Sequence, residues 1–177
     1  MSGGAVFLLT DYGDDDEFAG LTRAVIRRLA PAAPVVDLTH GIPPFDVRAG
    51  AHALTRCVGF LGPGVVVAVV DPGVGSDRRA VAVEVGGAVG VEVGVGVGVG
   101  VEVDPGPGNA ATGPRYLVGP DNGLLVGAVD LLGGPVGVVS LTAPGLPSRA
   151  GRAGAGATFD GRDLFAPVAA RLWAGAG

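Results

Sequence analysis

Short apolar runs alternate with helix-like segments along this chain, and this alternation is the feature that most limits its possible folds. Residues 5–9, 35–38 and 65–70 are rich in Val, Leu, Ala and Phe, and turn-forming or polar residues follow each run. Such runs are typical of strands buried on both faces of a sheet. Residues 14–29 and 47–58 instead place apolar side chains at helical spacing. The order predicts an α/β fold with a mostly parallel, doubly wound sheet flanked by helices.

The rest of the chain adds fewer elements to this pattern. Residues 116–118 form a further short apolar run, which we interpret as a strand. Residues 164–173 predict a helix with Pro167 in its first turn, where proline is tolerated best. A chain of 177 residues is normally one domain with a substantial core. We therefore expect a single domain over residues 1–177.

Acidic residues follow three of the four main strand candidates. Asp11, Asp71 and Asp121 stand directly after apolar runs, while residues 35–38 lead into Thr39 and His40. Ligands of doubly wound sheets bind outside the carboxyl ends of the parallel strands. Aspartate also begins turns and caps helices, so each residue has a purely structural alternative. Their shared position predicts a small-molecule site at one edge of the sheet.

Composition restricts the partners. The net charge of −5 argues against nucleic-acid binding and suits a cationic small substrate. A single cysteine, Cys57, excludes an internal disulfide framework and a multi-cysteine metal site. No glycine-free apolar run reaches membrane-spanning length, and no signal-peptide pattern opens the chain. We expect a cytoplasmic protein with a small-molecule partner and no membrane partner.

Two low-complexity stretches interrupt the pattern. Residues 86–103 alternate Val and Gly, and a Pro/Gly-rich loop follows to residue 114. Glycine weakens strands and specifies their register poorly. We interpret residues 86–114 as an inserted hairpin or a mobile flap, and residues 143–157 as a flexible connection.

Five sequence blocks, in order, carry a resemblance to a known family. They read LTDYG at 9–13, DLTHGIPPFDV at 37–47, VVDPGVG at 69–75, VGPDNGLL at 118–125 and TFDGRDLFAPVAA at 158–170. Together they resemble the N-terminal domain of the adenosine-forming S-adenosylmethionine hydrolases, which are homologous to fluorinating and chlorinating enzymes. The resemblance implies homotrimers, with substrate lying between this domain and a smaller C-terminal β domain of a neighbouring subunit. We expect that second domain to be absent here.

The resemblance also implies roles for individual residues. Asp11 matches the family residue that binds the ribose hydroxyls, and Phe45 matches the aromatic position beside the ribose or sulfonium. Asp71 and Arg78 match two of three hydrolase residues around the attacking water. The third is a histidine in the family and Asp160 in this chain, and a helix cap is its alternative role. The fourth block adds Asp121 and Asn122 as substrate-binding candidates.

The implied reaction is hydrolysis of S-adenosylmethionine to adenosine and methionine by attack of water on the ribose 5′ carbon. No cofactor and no metal are expected. Because the leaving group departs as a neutral thioether, the reaction needs a positioned, desolvated nucleophile rather than a general acid. Halogenating relatives typically carry a tyrosine where this chain has Asp71, so Asp71 favours water over halide.

Three alternatives remain open from sequence. The chain is a catalytically impaired adenosyl-binding fragment if Asp160 and the absent domain prevent turnover. A halide-using adenosyl transferase is the second alternative, since Arg78 is able to hold an anion. The third is a calcium-dependent nucleoside hydrolase, because Asp11 and residues 14–16 join an early strand to an acidic turn that suits a hard cation.

Overall fold

The computed structural model describes residues 4–86, 113–141 and 159–175. Its strands form one six-stranded sheet in the order β2-β1-β3-β5-β4-β6. The strands are β1 Ala5–Thr10, β2 Val35–Thr39, β3 Gly64–Val69, β4 Ala80–Val85, β5 Pro114–Pro120 and β6 Pro135–Ser140. The helices are α1 Phe18–Leu29, α2 Val47–Val58, α3 Val126–Leu131 and α4 Ala166–Trp173, and a π-helical turn, Gly161–Phe165, leads directly into α4.

The predicted fold class is confirmed. Strands β2, β1, β3 and β5 pair in parallel, whereas β4 pairs antiparallel with both β5 and β6. Alternate side chains of β1 enter two separate cores: Phe7 and Leu9 pack with helices α2 and α3, and Val6 and Leu8 pack with α1 and α4. Helices therefore cover both faces of the sheet, as a doubly wound arrangement requires.

The four predicted strands lie within a few residues of their expected positions, but other elements differ. Strands β4 and β6 and helix α3 were not predicted. The apolar residues of β4 run directly into the valine-glycine alternation, so the sequence does not show where this strand ends. Strand β6 contains Pro135 and Gly137, two residue types that are unfavourable in strands, so its sequence does not predict one. Its Val136, Val138 and Val139 are exposed. Helix α3 has only six residues, too few to show a helical period.

The predicted start of the first helix at Asp14 was wrong. Residues 14–17 form bends, and α1 begins at Phe18 after Glu17. Three adjacent aspartates repel one another, and Gly13 turns the chain with a φ of 72° before them. The predicted late helix is confirmed with Pro167 in its first turn, but its first residues adopt the π-helical turn.

The two low-complexity predictions fall mainly on residues outside the described part of the chain. Residues 87–112 and 142–158 lie there, while Pro114 already belongs to β5. In the described ranges, no helix combines the length and apolar character needed to cross a membrane.

Candidate active site

The carboxyl edge of the parallel strands carries a dense group of charged side chains. Asp11 follows β1 and Asp71 follows β3 by two residues. Because β4 runs antiparallel, the loop after β3 returns along this same edge and places Arg78 beside Asp71. Asp160 reaches the group from the residue before the π-helical turn. The predicted position at one edge of the sheet therefore holds for Asp11, Asp71 and Asp121, which follows the parallel strand β5. Asp160, from outside the strand ends, joins Asp71 through Arg78.

Arg78 joins two buried carboxylates, and we call Asp71, Arg78 and Asp160 the Arg78 cluster. Its Nε donates to both carboxylate oxygens of Asp71 at 2.9 Å. Its Nη2 donates to Oδ2 of Asp71 and to Oδ2 of Asp160. The side chains are only 10%, 5% and 4% exposed for Arg78, Asp71 and Asp160 respectively. Asp160 caps no helix end with its side chain, so its contact with Arg78 replaces the capping alternative.

The electrostatics of the cluster are dominated by burial and by its two acids. Burial alone lowers the pKa of Arg78, but hydrogen bonds and charge from Asp71 and Asp160 more than compensate, and the pKa is raised. The guanidinium also lies 5.5 Å from the ring centroid of the buried Phe165. Arg78 is thus held as a cation between two anions, which leaves the cluster with an excess of negative charge.

Asp11 lies at the same edge of the sheet, near Asp71. Its Oδ2 accepts a 2.8 Å hydrogen bond from the backbone N–H of Phe45. Burial raises the pKa of Asp11, the Phe45 N–H lowers it in part, and the charge of Asp71 raises it further. Upon acidification Asp11 therefore gains a proton, and loses acceptor capacity, before an ordinary aspartate does. Its other oxygen, Oδ1, has the geometry of a carboxylate acceptor for a hydroxyl.

Phe45 is held in an unusual backbone conformation. Its φ is 64°, and it is the only described non-glycine residue with positive φ. Such a conformation costs free energy for a bulky residue and is concentrated at functional sites. The ring is 63% exposed, so the Phe45 backbone binds Asp11 while its aromatic face is open to solvent beside the site.

Tyr12 joins the predicted residues, although sequence reasoning assigned it no role. Its ring contacts Phe159 edge-on at a centroid distance of 5.5 Å and lies 6.1 Å from Phe18. Burial raises the pKa of its hydroxyl above the ordinary value, and the charges of Asp11, Asp71 and Asp160 raise it further. The sequence signal that could have identified Tyr12 is its position: a hydroxyl-bearing aromatic residue directly after Asp11, at the end of a strand.

Asp121 and Asn122 contact the chain neighbours of the Arg78 cluster, and their described side-chain contacts do not include the cluster itself. Asp121 pairs with the exposed Arg79 at 2.6 Å and lines a groove of about 540 Å³ between β4, β6 and α3. Asn122 donates to the carbonyl of Val70 and accepts from the N–H of Leu124. Their described contacts are those of turn residues, and their substrate-binding roles stay predictions.

His40 follows β2 and contacts polar side chains of the strand ends. Its Nδ1 lies 2.8 Å from Oγ1 of Thr10, and its Nε2 lies 3.3 Å from Asp37. The side chain is buried behind the end of β1. Within the described ranges, no three or more His, Cys, Asp or Glu side chains are grouped as a metal site.

Gly161 provides a stability test of this geometry. A Cβ built at Gly161 would lie 1.8 Å from Oη of Tyr12 and 3.0 Å from the Phe159 ring. Gly161→Ala should therefore destabilise the fold by about 1–3 kcal/mol through overpacking. In a Tyr12→Phe background, which removes the clashing oxygen, the measured loss in urea denaturation should be clearly smaller.

Gly20→Ala is the matched control. Gly20 is exposed on α1, and no atom lies within 4 Å of its added Cβ. That change should raise stability, by up to about 1 kcal/mol, because alanine favours helices. Equal losses from Gly161→Ala in the presence and absence of the Tyr12 hydroxyl would disprove the contact.

Fold and site together define the class of this protein: a doubly wound α/β domain with a buried acid–arginine cluster at the carboxyl edge of its parallel strands. The model of the SAM hydroxide adenosyltransferase N-terminal domain matches residues 6–100 and 93–177. The chain therefore belongs to this family, and the resemblance drawn from the five blocks is confirmed.

Named relatives agree with the family assignment. The chain is 45% identical to the (R)-S-adenosyl-L-methionine hydrolase of Salinispora arenicola, over 94% of this chain and 52% of that protein. It is 40% identical to the Thermus thermophilus hydrolase of the same name, over 94% of this chain and 56% of the relative. A fluorinase from an Actinoplanes species is 26% identical over 71% of this chain and 41% of its own. The chain spans about half the length of these relatives.

A solved structure shares the fold. A conserved protein from Thermotoga maritima superposes with a TM-score of 0.72 at 32% identity, covering 96% of this chain and 54% of that one. The common fold therefore extends over nearly all of the present chain.

Proposed function

We propose that this chain forms the water-activating, adenosyl-binding half of an enzyme that hydrolyses S-adenosyl-L-methionine to adenosine and L-methionine. The observation that carries the proposal is the Arg78 cluster, in which a buried arginine holds Asp71 and Asp160 beside Asp11. The names of the relatives supply the substrate. Only substrate and water take part, so the proposed reaction needs no cofactor.

Charge around the site suits this substrate. Asp71 and Asp160 pair with the guanidinium of Arg78, and Asp11 lies close enough to Asp71 for their charges to interact. A sulfonium cation offsets the excess negative charge, and its loss during the reaction is matched by release of a proton. Asp11 accepts from the ribose hydroxyls through the oxygen that Phe45 does not occupy.

The step itself is a displacement at carbon. A water oxygen forms a bond to the ribose 5′ carbon while the carbon–sulfur bond breaks, and the bonding pair leaves with sulfur as neutral methionine. The proton lost by water passes to a carboxylate of Asp71 or Asp160. Arg78 orients both carboxylates through its hydrogen bonds and places a positive charge beside them. Halide is disfavoured because an anion is repelled by the surplus carboxylate charge.

A second candidate is adenosyl binding without turnover. Both oxygens of Asp71 already accept hydrogen bonds from Arg78, so a water that gives its proton to Asp71 competes with Arg78 for that carboxylate. Asp160 also stands where the family resemblance places a histidine. This candidate predicts binding of S-adenosylmethionine with no adenosine formed.

One experiment separates the candidates. The purified chain is incubated with S-adenosylmethionine in water enriched in heavy oxygen, in the presence and absence of concentrated chloride, while calorimetry records binding. We expect adenosine with the label in its 5′ hydroxyl, in both solutions. Binding without adenosine favours the second candidate, chlorinated adenosine favours halide transfer, and no binding refutes the proposal.

Assembly and location are also part of the proposal. By resemblance we propose a homotrimer in the cytoplasm, completed by the C-terminal domains that relatives carry. Light scattering of the purified chain measures its mass in solution directly.

A further inference from the structure

Two buried donors near the Arg78 cluster have no hydrogen-bond partner among the described residues: Oη of Tyr12 and Nη1 of Arg78. Buried polar groups in folded proteins are almost always hydrogen-bonded, either to other protein groups or to ordered water. An unpaired donor in a low-dielectric interior is costly. Both donors belong to side chains that lie near Asp71 and Asp160. Their positions indicate that the site is arranged to hold a further hydrogen-bond acceptor.

Tyr12 is fixed in place more firmly than a loop residue would be. Its ring packs against Phe18 and Phe159, which themselves contact each other edge-on at 4.8 Å. Its hydroxyl lies against the backbone of Gly161, directly after Asp160. Because the surrounding carboxylates and burial keep the phenol protonated, the hydroxyl is a donor rather than an acceptor of the proton lost by water.

We propose that the Tyr12 hydroxyl donates a hydrogen bond to the oxygen that attacks the ribose 5′ carbon, and therefore to the 5′ hydroxyl of the product. The inference deepens the proposed function and rests on it. The oxygen of an attacking water has two lone pairs. One forms the bond to the 5′ carbon, and the other accepts a single hydrogen bond while a carboxylate takes a proton from the water. A neutral phenol withdraws less electron density from that oxygen than the guanidinium of Arg78 would, so Tyr12 suits this contact better.

A binding experiment tests the contact without any need for turnover. The probes are adenosine and 5′-deoxyadenosine, which differ only in the oxygen derived from water. The chain should bind adenosine about 10-fold more tightly than 5′-deoxyadenosine, because only adenosine accepts a hydrogen bond from the otherwise unsatisfied donor. Tyr12→Phe, which keeps the ring, should remove this preference and leave affinity for 5′-deoxyadenosine unchanged.

The chain's only other tyrosine is the control. Tyr116 lies on β5 over the guanidinium of Arg115, so Tyr116→Phe should retain the full preference for adenosine. An equal preference in Tyr12→Phe and in the unchanged chain overturns this inference alone. If neither nucleoside binds and S-adenosylmethionine does not bind either, the proposed function fails and takes the inference with it.

In turnover the same variant separates chemistry from binding. Tyr12→Phe should lower kcat for adenosine formation by about 10- to 100-fold, because the attacking water loses a group that orients it, and leave KM for S-adenosylmethionine nearly constant. A rise in KM at constant kcat would instead assign Tyr12 to ground-state binding and contradict the inference.

Discussion

Replacing Arg78 with Met should destabilise the fold by about 3–5 kcal/mol, the usual cost of removing one partner from a buried charge network. Asp71 and Asp160 are 5% and 4% exposed and share this one guanidinium. Without it, two buried carboxylates lose the cation that they share, in a medium that solvates charge poorly. Methionine retains most of the aliphatic packing of arginine, so the loss reports charge more than volume.

Arg79 is the matched control for this change. It is adjacent in sequence and also pairs with an aspartate, Asp121, but its side chain is 70% exposed. Arg79→Met should therefore cost less than about 1 kcal/mol. Urea denaturation gives both values, and similar losses for the two variants would show that the Arg78 cluster is not the stabilising centre described here.

A second variant identifies the cause of the loss. Adding Asp160→Asn to Arg78→Met removes one of the two neighbouring negative charges while keeping an oxygen acceptor, and should recover part of the stability. If it recovers none, the damage lies in the packing of Arg78 over Phe165 rather than in repulsion between the two carboxylates.

The strand ends could be read from the sequence because burial leaves a strong signal. A strand covered on both faces, such as β3, is almost pure valine, and the first polar residue after it marks the edge of the sheet. Asp11 and Asp71 were therefore placed correctly by physics alone. Arg78 and Asp160 came only from the family resemblance, since no periodicity links an arginine in a return loop to an acid 82 residues later.

Elements with little burial or length escaped prediction. Strand β6 lies at the sheet edge with most of its residues exposed, so it lacks the continuous apolar signature of the inner strands. The direction of β4 depends on pairing with β5, which no local pattern specifies. That direction matters, because an antiparallel β4 begins at the carboxyl edge and carries Arg78 into the site.

The role of Tyr12 could not be predicted from sequence for a related reason. An aromatic residue at a strand end is normally a packing residue, and Tyr12 does pack against Phe159. Only its three-dimensional position shows that the hydroxyl is buried near carboxylates from three separate segments, with no hydrogen-bond partner in the described part of the chain.

Asp71→Asn should reduce kcat for adenosine formation by about 10²- to 10⁴-fold, the contribution expected of a group that accepts a proton in the reaction. The amide keeps an oxygen that accepts from Arg78, but it cannot take the proton that water loses. KM for S-adenosylmethionine should change little, because ribose binding is assigned to Asp11. Steady-state kinetics with product analysis measure both quantities.

Asp130→Asn is the control, because Asp130 is exposed on α3 and its replacement removes the same charge away from the Arg78 cluster. Its kcat should stay within about 2-fold of the unchanged chain, since exposed charges at this distance are screened by salt. Normal turnover by Asp71→Asn would exclude Asp71 as the proton acceptor and transfer that role to Asp160. If Asp71→Asn instead raises KM and leaves kcat unchanged, Asp71 binds the sulfonium of the substrate. Its charge would then act in the bound substrate, before the carbon–sulfur bond breaks.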